Sequence, residues 1–252
     1  MPKLRSQTPR RMWLVYVIVA GIVVPIWWFV VPNLYRLTSL YRALAAGDGD
    51  WVEKQVKGDP SKLEYRFFGL NATPLHIAAQ RGDTRMVSVL LDLGADIEAK
   101  GYRDECTPLH LAAREGQVET VRLLLARGAE LDSHDRFLAT PLMDAAGAGQ
   151  ADMVELLLER GADINARESV YGRSALDEAV ESDEAGAARV LLEHGSDADL
   201  DRLIENKKNH LWGIPLATEE HKETIRRMVR LLEEYKLKRW AEEACGDSRT
   251  PS

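Results

Sequence analysis

The stretches Thr73-Pro74-Leu75-His76-Ile77-Ala78-Ala79, Thr107-Pro108-Leu109-His110-Leu111-Ala112-Ala113, Thr140-Pro141-Leu142-Met143-Asp144-Ala145-Ala146 and Ser174-Ala175-Leu176-Asp177-Glu178-Ala179-Val180 open alike, and their starts lie 34, 33 and 34 residues apart. A unit of that length is one supersecondary element and cannot bury its apolar face alone. A fixed period of this size therefore demands a stack in which every unit covers its neighbour.

Each opening reads as a helix N-terminus. Thr73, Thr107, Thr140 and Ser174 offer a hydroxyl to the unpaired N–H groups of a first turn, and in three of the four a proline follows, where its missing N–H costs nothing. Ser174 with Asp177 three residues on has the form of a capping box. The chain then turns at Gly82, Gly116, Gly149 and, in the fourth unit, Asp183, residue types that tolerate a left-handed backbone. Second helices follow, with apolar residues such as Val118, Val121, Leu124 and Leu125 on one face, and they stop at Gly94, Gly128, Gly161 and Gly195, again 34, 33 and 34 apart. Arg114 falls on a first-helix face expected to be exposed.

The Thr-Pro-Leu-His opening at this period resembles the ankyrin repeat, over roughly residues 38–206. The resemblance implies an all-α fold: an ankyrin-type helix-turn-helix solenoid with hairpin fingers between units. It implies that His76 and His110 reach back to the preceding threonine hydroxyls and are structural, and that finger tips and first helices form a recognition surface for protein partners. The family usually has glycine two residues before the threonine. Here only Gly172 fits, while Asn71, Glu105 and Leu138 hold the other places and three fingers are long, which argues against regular finger geometry.

The ends differ from the repeats. Leu40 to Val52, turning at Gly47-Asp48-Gly49, reads as a degenerate N-terminal cap within 38–206; residues 207–243 read as a C-terminal capping loop and helix, with Ile225, Met228, Val229, Leu232 and Tyr235 at helical spacing, and 244–252 as a disordered tail. Leu211, Trp212, Ile214 and Leu216 either pack under that helix or form a contact surface. At the other end, a basic tail (1–11) precedes 20 uncharged residues, 12–31, and a linker, 32–37. As a helix, 20 residues span about 30 Å, a bilayer's hydrocarbon core, so one N-terminal transmembrane helix is expected before the repeats. A cleavable signal peptide is the alternative, but the run is longer than usual and the nearest small-residue site, Ala43-Leu44-Ala45, lies inside the cap. Lys3, Arg5, Arg10 and Arg11 outnumber the basic residues just after the run, which puts the N-terminus in the cytoplasm and the repeats across the membrane, in the periplasm if the cell is a Gram-negative bacterium and in a lumen or outside if it is eukaryotic; cytosolic repeats are the alternative.

The net charge of −7, or −11 without the four basic residues of the tail, argues against nucleic acid as a partner. Cys106 and Cys245 lack metal-ligand spacing, and Asp197-Ala198-Asp199-Leu200-Asp201 lacks the glycine and the terminal glutamate of a calcium loop. With no nucleophile elbow, phosphate loop or zinc-protease motif either, no enzyme, cofactor or metal site is expected.

Binding remains: a non-catalytic protein–protein interaction module tethered to a lipid bilayer through 12–31, or an inhibitor that blocks an enzyme in the same compartment, in either case with a partner whose identity the sequence does not give. Each finger sets an aromatic beside an arginine: Tyr65, Arg66 and Phe67; Tyr102 and Arg103; Arg136 and Phe137; and Tyr171 between Arg167 and Arg173. Such residues dominate binding hot spots, so Tyr65, Arg66, Phe67, Tyr102, Arg103, Arg136, Phe137 and Tyr171 are the candidate partner-binding set. The alternative is that the aromatics pack sideways on neighbouring fingers.

Overall fold

The computed structural model describes residues 39–44, 46–67, 71–213 and 218–246. The expected membrane segment, 12–31, lies outside them. Among the described residues no helix is long and apolar enough to cross a membrane.

Helical residues 39–44 and helix α1 (Gly49–Gly58), with a 3-10 turn at Pro60–Glu64, precede four helix pairs: α2 (Pro74–Arg81) and α3 (Thr84–Asp92), α4 (Pro108–Arg114) and α5 (Val118–Ala126), α6 (Pro141–Gly147) and α7 (Ala151–Glu159), and α8 (Ala175–Glu181) and α9 (Ala185–Glu193). Helices α10 (Leu200–Gly213) and α11 (Glu219–Gly246) close the far end. First helices α2, α4, α6 and α8 pack in one row; α1, α3, α5, α7 and α9 pack in a second row behind it.

The core is the repeat register made physical. Leu75, Leu109, Leu142 and Leu176 from the front row meet Leu90, Leu124, Leu157 and Leu191 from the back row, all buried and all spaced by the repeat period. Each such leucine loses its accessible area only when the neighbouring unit is present, at roughly 25 cal/mol per Å² of apolar surface. At the front end Leu40, Leu44, Val52 and Val56 cover the first repeat, and the Asp48 carboxylate caps α1 by accepting from Trp51 N–H at 3.1 Å. At the far end Ile225, Met228 and Leu232 of α11 cover the last.

Polar links tie the units as well. The backbone N–H and hydroxyl of Thr73 reach His76 Nδ1 at 3.2 and 2.8 Å, and His76 Nε2 lies 2.9 Å from the carbonyl oxygen of Cys106 in the next finger. A carbonyl only accepts, so Nε2 carries the proton and Nδ1 receives the two threonine donors. His110 repeats the arrangement, from Thr107 to the Ala139 carbonyl at 3.0 Å. These histidines are structural, as the resemblance implied. Met143 cannot make the link. Asp177 takes it up with different chemistry: one oxygen accepts from Ser174 N–H and hydroxyl at 2.9 and 2.7 Å, and the other pairs with Arg202 of α10.

The hairpin turns keep their left-handed backbone at Gly82, Gly116 and Gly149, and the side chain of the next unit's Gln117, Gln150 or Glu184 sits where a Cβ would be, 2.1 to 2.5 Å away. In the fourth unit Asp183 takes the same φ of +63° and binds Lys207 Nζ of α10 at 2.7 Å, a lysine only 4% exposed that also donates to the Glu181 carbonyl. The expected boundary between 206 and 207 thus falls inside a helix: α10 runs without a break to Gly213, because Lys207 buries its ammonium under the last repeat instead of leading into a loop. Residues 244–246, expected in the tail, continue α11.

The fingers are also more regular than expected. Asn71, Glu105 and Leu138 adopt φ of +54°, +58° and +64°, the conformation that Gly172 takes at +66°. Backbone bonds join finger to finger: Tyr102 N–H to Asn71 O, Arg136 N–H to Asp104 O and Ser169 N–H to Phe137 O, at 3.3, 2.7 and 2.7 Å. The geometry is kept at the expense of strain, which is largest for Leu138, an exposed residue whose side chain cannot hydrogen-bond to the backbone as that of Asn can.

Two positions of positive φ should therefore respond with opposite signs. Gly128, at φ +95° with open space where a Cβ would go, should lose more than about 1 kcal/mol on Gly128→Val through backbone strain alone. Leu138→Gly should gain about 0.5–1 kcal/mol by relieving that strain. Arg122→Ala, on an exposed face, should stay within about 0.5 kcal/mol. Urea denaturation of the full chain in detergent reads all three, and equal effects at Gly128 and Arg122 would break the register.

Acid should loosen the stack through its histidines. Burial pushes both His76 and His110 down to about 4 from 6.5. Between those values the unfolded chain binds more protons than the folded one, so stability is complete above pH about 6.5 and is lost as pH falls toward about 4. Asp144 runs the other way: burial raises its carboxyl from 3.8 to about 6, so the folded state gains protons in that interval. Two histidines outweigh it. Replacing both (His76→Gln, His110→Gln) should flatten the loss of stability between about pH 6.5 and about pH 4. An unchanged slope would refute the neutral buried assignment.

Candidate protein-interaction surface

The front row of helices and the fingers line one side of the stack, and the third and fourth units open it into a cleft. Four residues past each opening, the first two units place Ile77 and Leu111, both buried; the third and fourth place Asp144 and Glu178. Seven residues past it stand Gln80, Arg114, Gly147 and Glu181. A glycine between two long polar residues leaves a gap, and a cleft of about 320 Å³ forms there, lined by Arg114, Met143, Asp144, Gly147, Glu178 and Ser182. A second cleft, of about 310 Å³, shares Ala139 and Glu178 with it and runs outward between the fingers past Phe137, Val170 and Tyr171.

Electrostatics distinguish these walls. Asp144 Oδ1 accepts from Arg114 at 2.7 Å, while its Oδ2 is buried with no partner. Desolvation lifts the carboxyl to about 6 even though the guanidinium pulls it down. Arg114 is accordingly not the free face residue expected: it spans two units and also approaches Cys106 Sγ at 3.9 Å. Its truncation would leave Asp144 buried and unpaired. Burial, first of all, raises the Glu178 carboxyl too, although Arg173 lies 3.2 Å from its Oε1.

Carboxylates also shape the fingers. Asp135 Oδ1 accepts from Phe137 and Ala139 N–H at 2.7 and 2.8 Å. Glu168 accepts from the N–H groups of Val170, Tyr171 and Arg173. Burial alone would raise the Glu168 carboxyl, but those three donors and Arg173 hold it below the usual range. These pinned backbones hold the tips of fingers three and four outward, with Phe137 41% and Tyr171 74% exposed and Arg173 stacked 5.1 Å over the tyrosine ring.

The eight candidate residues divide between two roles. Phe67 is 6% exposed and packs edge-on with Tyr65 and Tyr41, at 5.6 and 5.5 Å; burial takes it out of a partner's reach. Tyr65 is half-buried beside it. Arg66 is exposed and donates from Nη1 to the carbonyls of Asn71 and Lys100. Tyr102 lies edge-on to His76 and donates its hydroxyl to Gln80 at 2.9 Å. In the first two fingers the aromatics thus pack inward, Phe67 on Tyr65 and on Tyr41 of the cap, and Tyr102 on His76 and Gln80 of α2. Arg103, Arg136, Phe137 and Tyr171 are exposed, and the structure brings Phe137 and Tyr171 together at the outer cleft. Asp144, Gly147 and Glu178 were not among the candidates. Their signal was present in the register, as acidic residues and a glycine where earlier units have apolar or long side chains.

Burial, above all, pushes the Cys106 thiol up to about 12, so it stays protonated. No group of His, Cys, Asp and Glu among the described residues is arranged to hold a metal ion. Asp199, of the acidic segment, caps α10 by accepting from Arg202 N–H at 3.0 Å.

Comparison with known proteins agrees with the architecture. Over 60 residues, 23% of this chain and 12% of the relative, the sequence is 42% identical to the E3 ubiquitin-protein ligase XBAT33 of Arabidopsis thaliana. It is 38% identical over 63 residues, 24% and 12% of the two chains, to the E3 ubiquitin-protein ligase XBAT32 of the same plant. It is 40% identical over 60 residues, 23% and 12%, to the probable E3 ubiquitin-protein ligase XBOS33 of Oryza sativa subsp. japonica. The chain thus matches about an eighth of the length of these relatives. A family profile described as ankyrin repeats (3 copies) matches residues 40–135 and 131–202, which is most of the chain. With the repeat period, the helix pairs and the threonine–histidine caps in one register, the chain belongs to the ankyrin repeat family.

Proposed function

We propose that this protein is a non-catalytic protein-interaction module that binds its partner on the face made by α4, α6, α8 and the third and fourth fingers, and that residues 12–31 tether it to a membrane. The observation that carries the binding face is the pair of joined clefts, with exposed Phe137, Val170 and Tyr171 at the outer end. Exposed apolar side chains grouped beside a recess with polar walls suit a docking site. Arg136, exposed on the third finger, and Arg103, exposed on the second, would form its rim. The tether is supported by the length and lack of charge of 12–31. The likeness to plant ligases is confined to some 60 residues, so ubiquitin ligation is not carried over to this chain.

The test is photocrosslinking of the full chain in cells that express it. A crosslinking residue at Phe137 or at Tyr171 should trap the same protein, and one at Arg227, on the outer face of α11 and 72% exposed in its side chain, should not. The adduct should stay with membranes through an alkaline carbonate wash. Crosslinks confined to Arg227 would remove the binding face, and release by carbonate would remove the tether.

A further inference from the structure

This inference rests on the reading of that face as a protein-binding surface and concerns what its inner cleft accepts. Two carboxylate oxygens around Gly147 are left over. Asp144 Oδ2 is buried with no hydrogen-bond partner, its sister oxygen being used by Arg114. Glu178 meets Arg173 through Oε1, and its Oε2 stands 3.9 Å from where a Cβ of Gly147 would be, with Ser182 Oγ at 4.0 Å. The cleft between them exists because residue 147 has no side chain. A desolvated carboxylate without a donor is unfavourable until a donor reaches it.

The sign of the missing group follows from the walls. The two clefts are lined by Asp135, Asp144, Glu168 and Glu178 against Arg114 and Arg173, an excess of two negative charges. Both arginines are already ion-paired, Arg114 with Asp144 and Arg173 with Glu168, Glu178 and Glu181, and although Arg173 Nε makes no hydrogen bond of its own, three carboxylates surround its charge. An anionic occupant would meet uncompensated carboxylates; a cation would satisfy them. The inner cleft at Gly147 adjoins the outer one along Ala139 and Glu178, and the outer one is edged by the apolar side chains of Phe137, Val170 and Tyr171. That shape suits one long side chain entering from an extended backbone with apolar neighbours.

We propose that the Gly147 cleft seats the cationic end of a lysine or arginine from an extended segment of the partner protein. Glu178 Oε2 and Ser182 Oγ accept its N–H groups, Asp144 supplies the second negative charge, and Phe137 and Tyr171 flank the residues on either side.

A displayed library of random dodecapeptides, selected on the full chain in detergent, tests this without knowledge of the natural partner. Selected peptides should share a lysine or arginine whose change to glutamine weakens binding by at least about tenfold, the scale of a charge-assisted hydrogen bond. Glu178→Gln, which keeps the side chain's size, should weaken the parent peptides equally and add nothing to the loss in the glutamine peptides. Gly147→Gln, which fills the cleft, should do the same. Peptides that are indifferent to Glu178→Gln but lost on Phe137→Ala with Tyr171→Ala would overturn the cation pocket and leave the binding face standing. Peptides indifferent to both changes would overturn both, and a library that returns no Glu178-dependent binder overturns the pocket.

Discussion

Every unit of this stack ends in groups that only the next unit can satisfy. The leucines of one helix pair are covered by those of the pair that follows, and the Cys106 and Ala139 carbonyls receive their protons from imidazoles one repeat earlier. A buried carbonyl left without a donor forfeits roughly 1–3 kcal/mol, comparable to the loss of a packed side chain. Spacing is therefore set by two independent requirements that must coincide. In the first two units the 33- to 34-residue period meets the apolar stripe and the imidazole link together.

That dependence cannot continue past the last repeat, and the chain ends it with charge. Where earlier turns bury a glycine under the next unit's glutamine or glutamate, Asp183 binds Lys207; where earlier units use histidine, Asp177 binds Arg202. Both partners belong to α10, which has no repeat of its own. A buried ion pair adds little net stability against an apolar replacement, but it is strongly orienting, because either member alone would be costly. The two pairs thus specify how α10 lies on α8 and the turn that follows it, and α11 packs on both α10 and α9. The cap is placed by electrostatics and held by packing.

What the sequence made legible follows the range of the interactions. Caps, turns and the leucine stripe rest on neighbours within one helical turn, so their pattern shows in a single unit and is confirmed by its recurrence. The links from His76 and His110 were legible because the family resemblance supplied a role for them. The finger conformation was not: Asn71, Glu105 and Leu138 take the glycine-like φ because hydrogen bonds from adjacent fingers hold them there, and those bonds connect residues some 31 to 32 apart. The two fates of the finger aromatics were also hidden. Phe67 turns inward because the N-terminal cap offers Tyr41 and Tyr65 to pack on, whereas Phe137 and Tyr171 meet carboxylate-pinned turns that hold their backbone outward. Arg114 read as a solvated residue because its partner, Asp144, lies in the following unit.

The acidic cleft is the place where the stack departs from what stability alone would choose. At the register position of Ile77 and Leu111, an apolar residue buries well and needs no partner; Asp144 must be desolvated, is only half satisfied by Arg114, and leaves one oxygen orphaned. Exchanging such a pair for apolar residues of similar volume is commonly neutral or stabilising. The helix faces around it are otherwise close-packed, so the third and fourth units would stack at least as firmly without the two carboxylates and with a larger residue at 147. In the proposed binding face the carboxylates and the gap present a recess of negative sign, flanked by repeats on both sides, beside aromatics on hydrogen-bonded turns. Such a site would spend little free energy on its own reorganisation when a cationic side chain arrives.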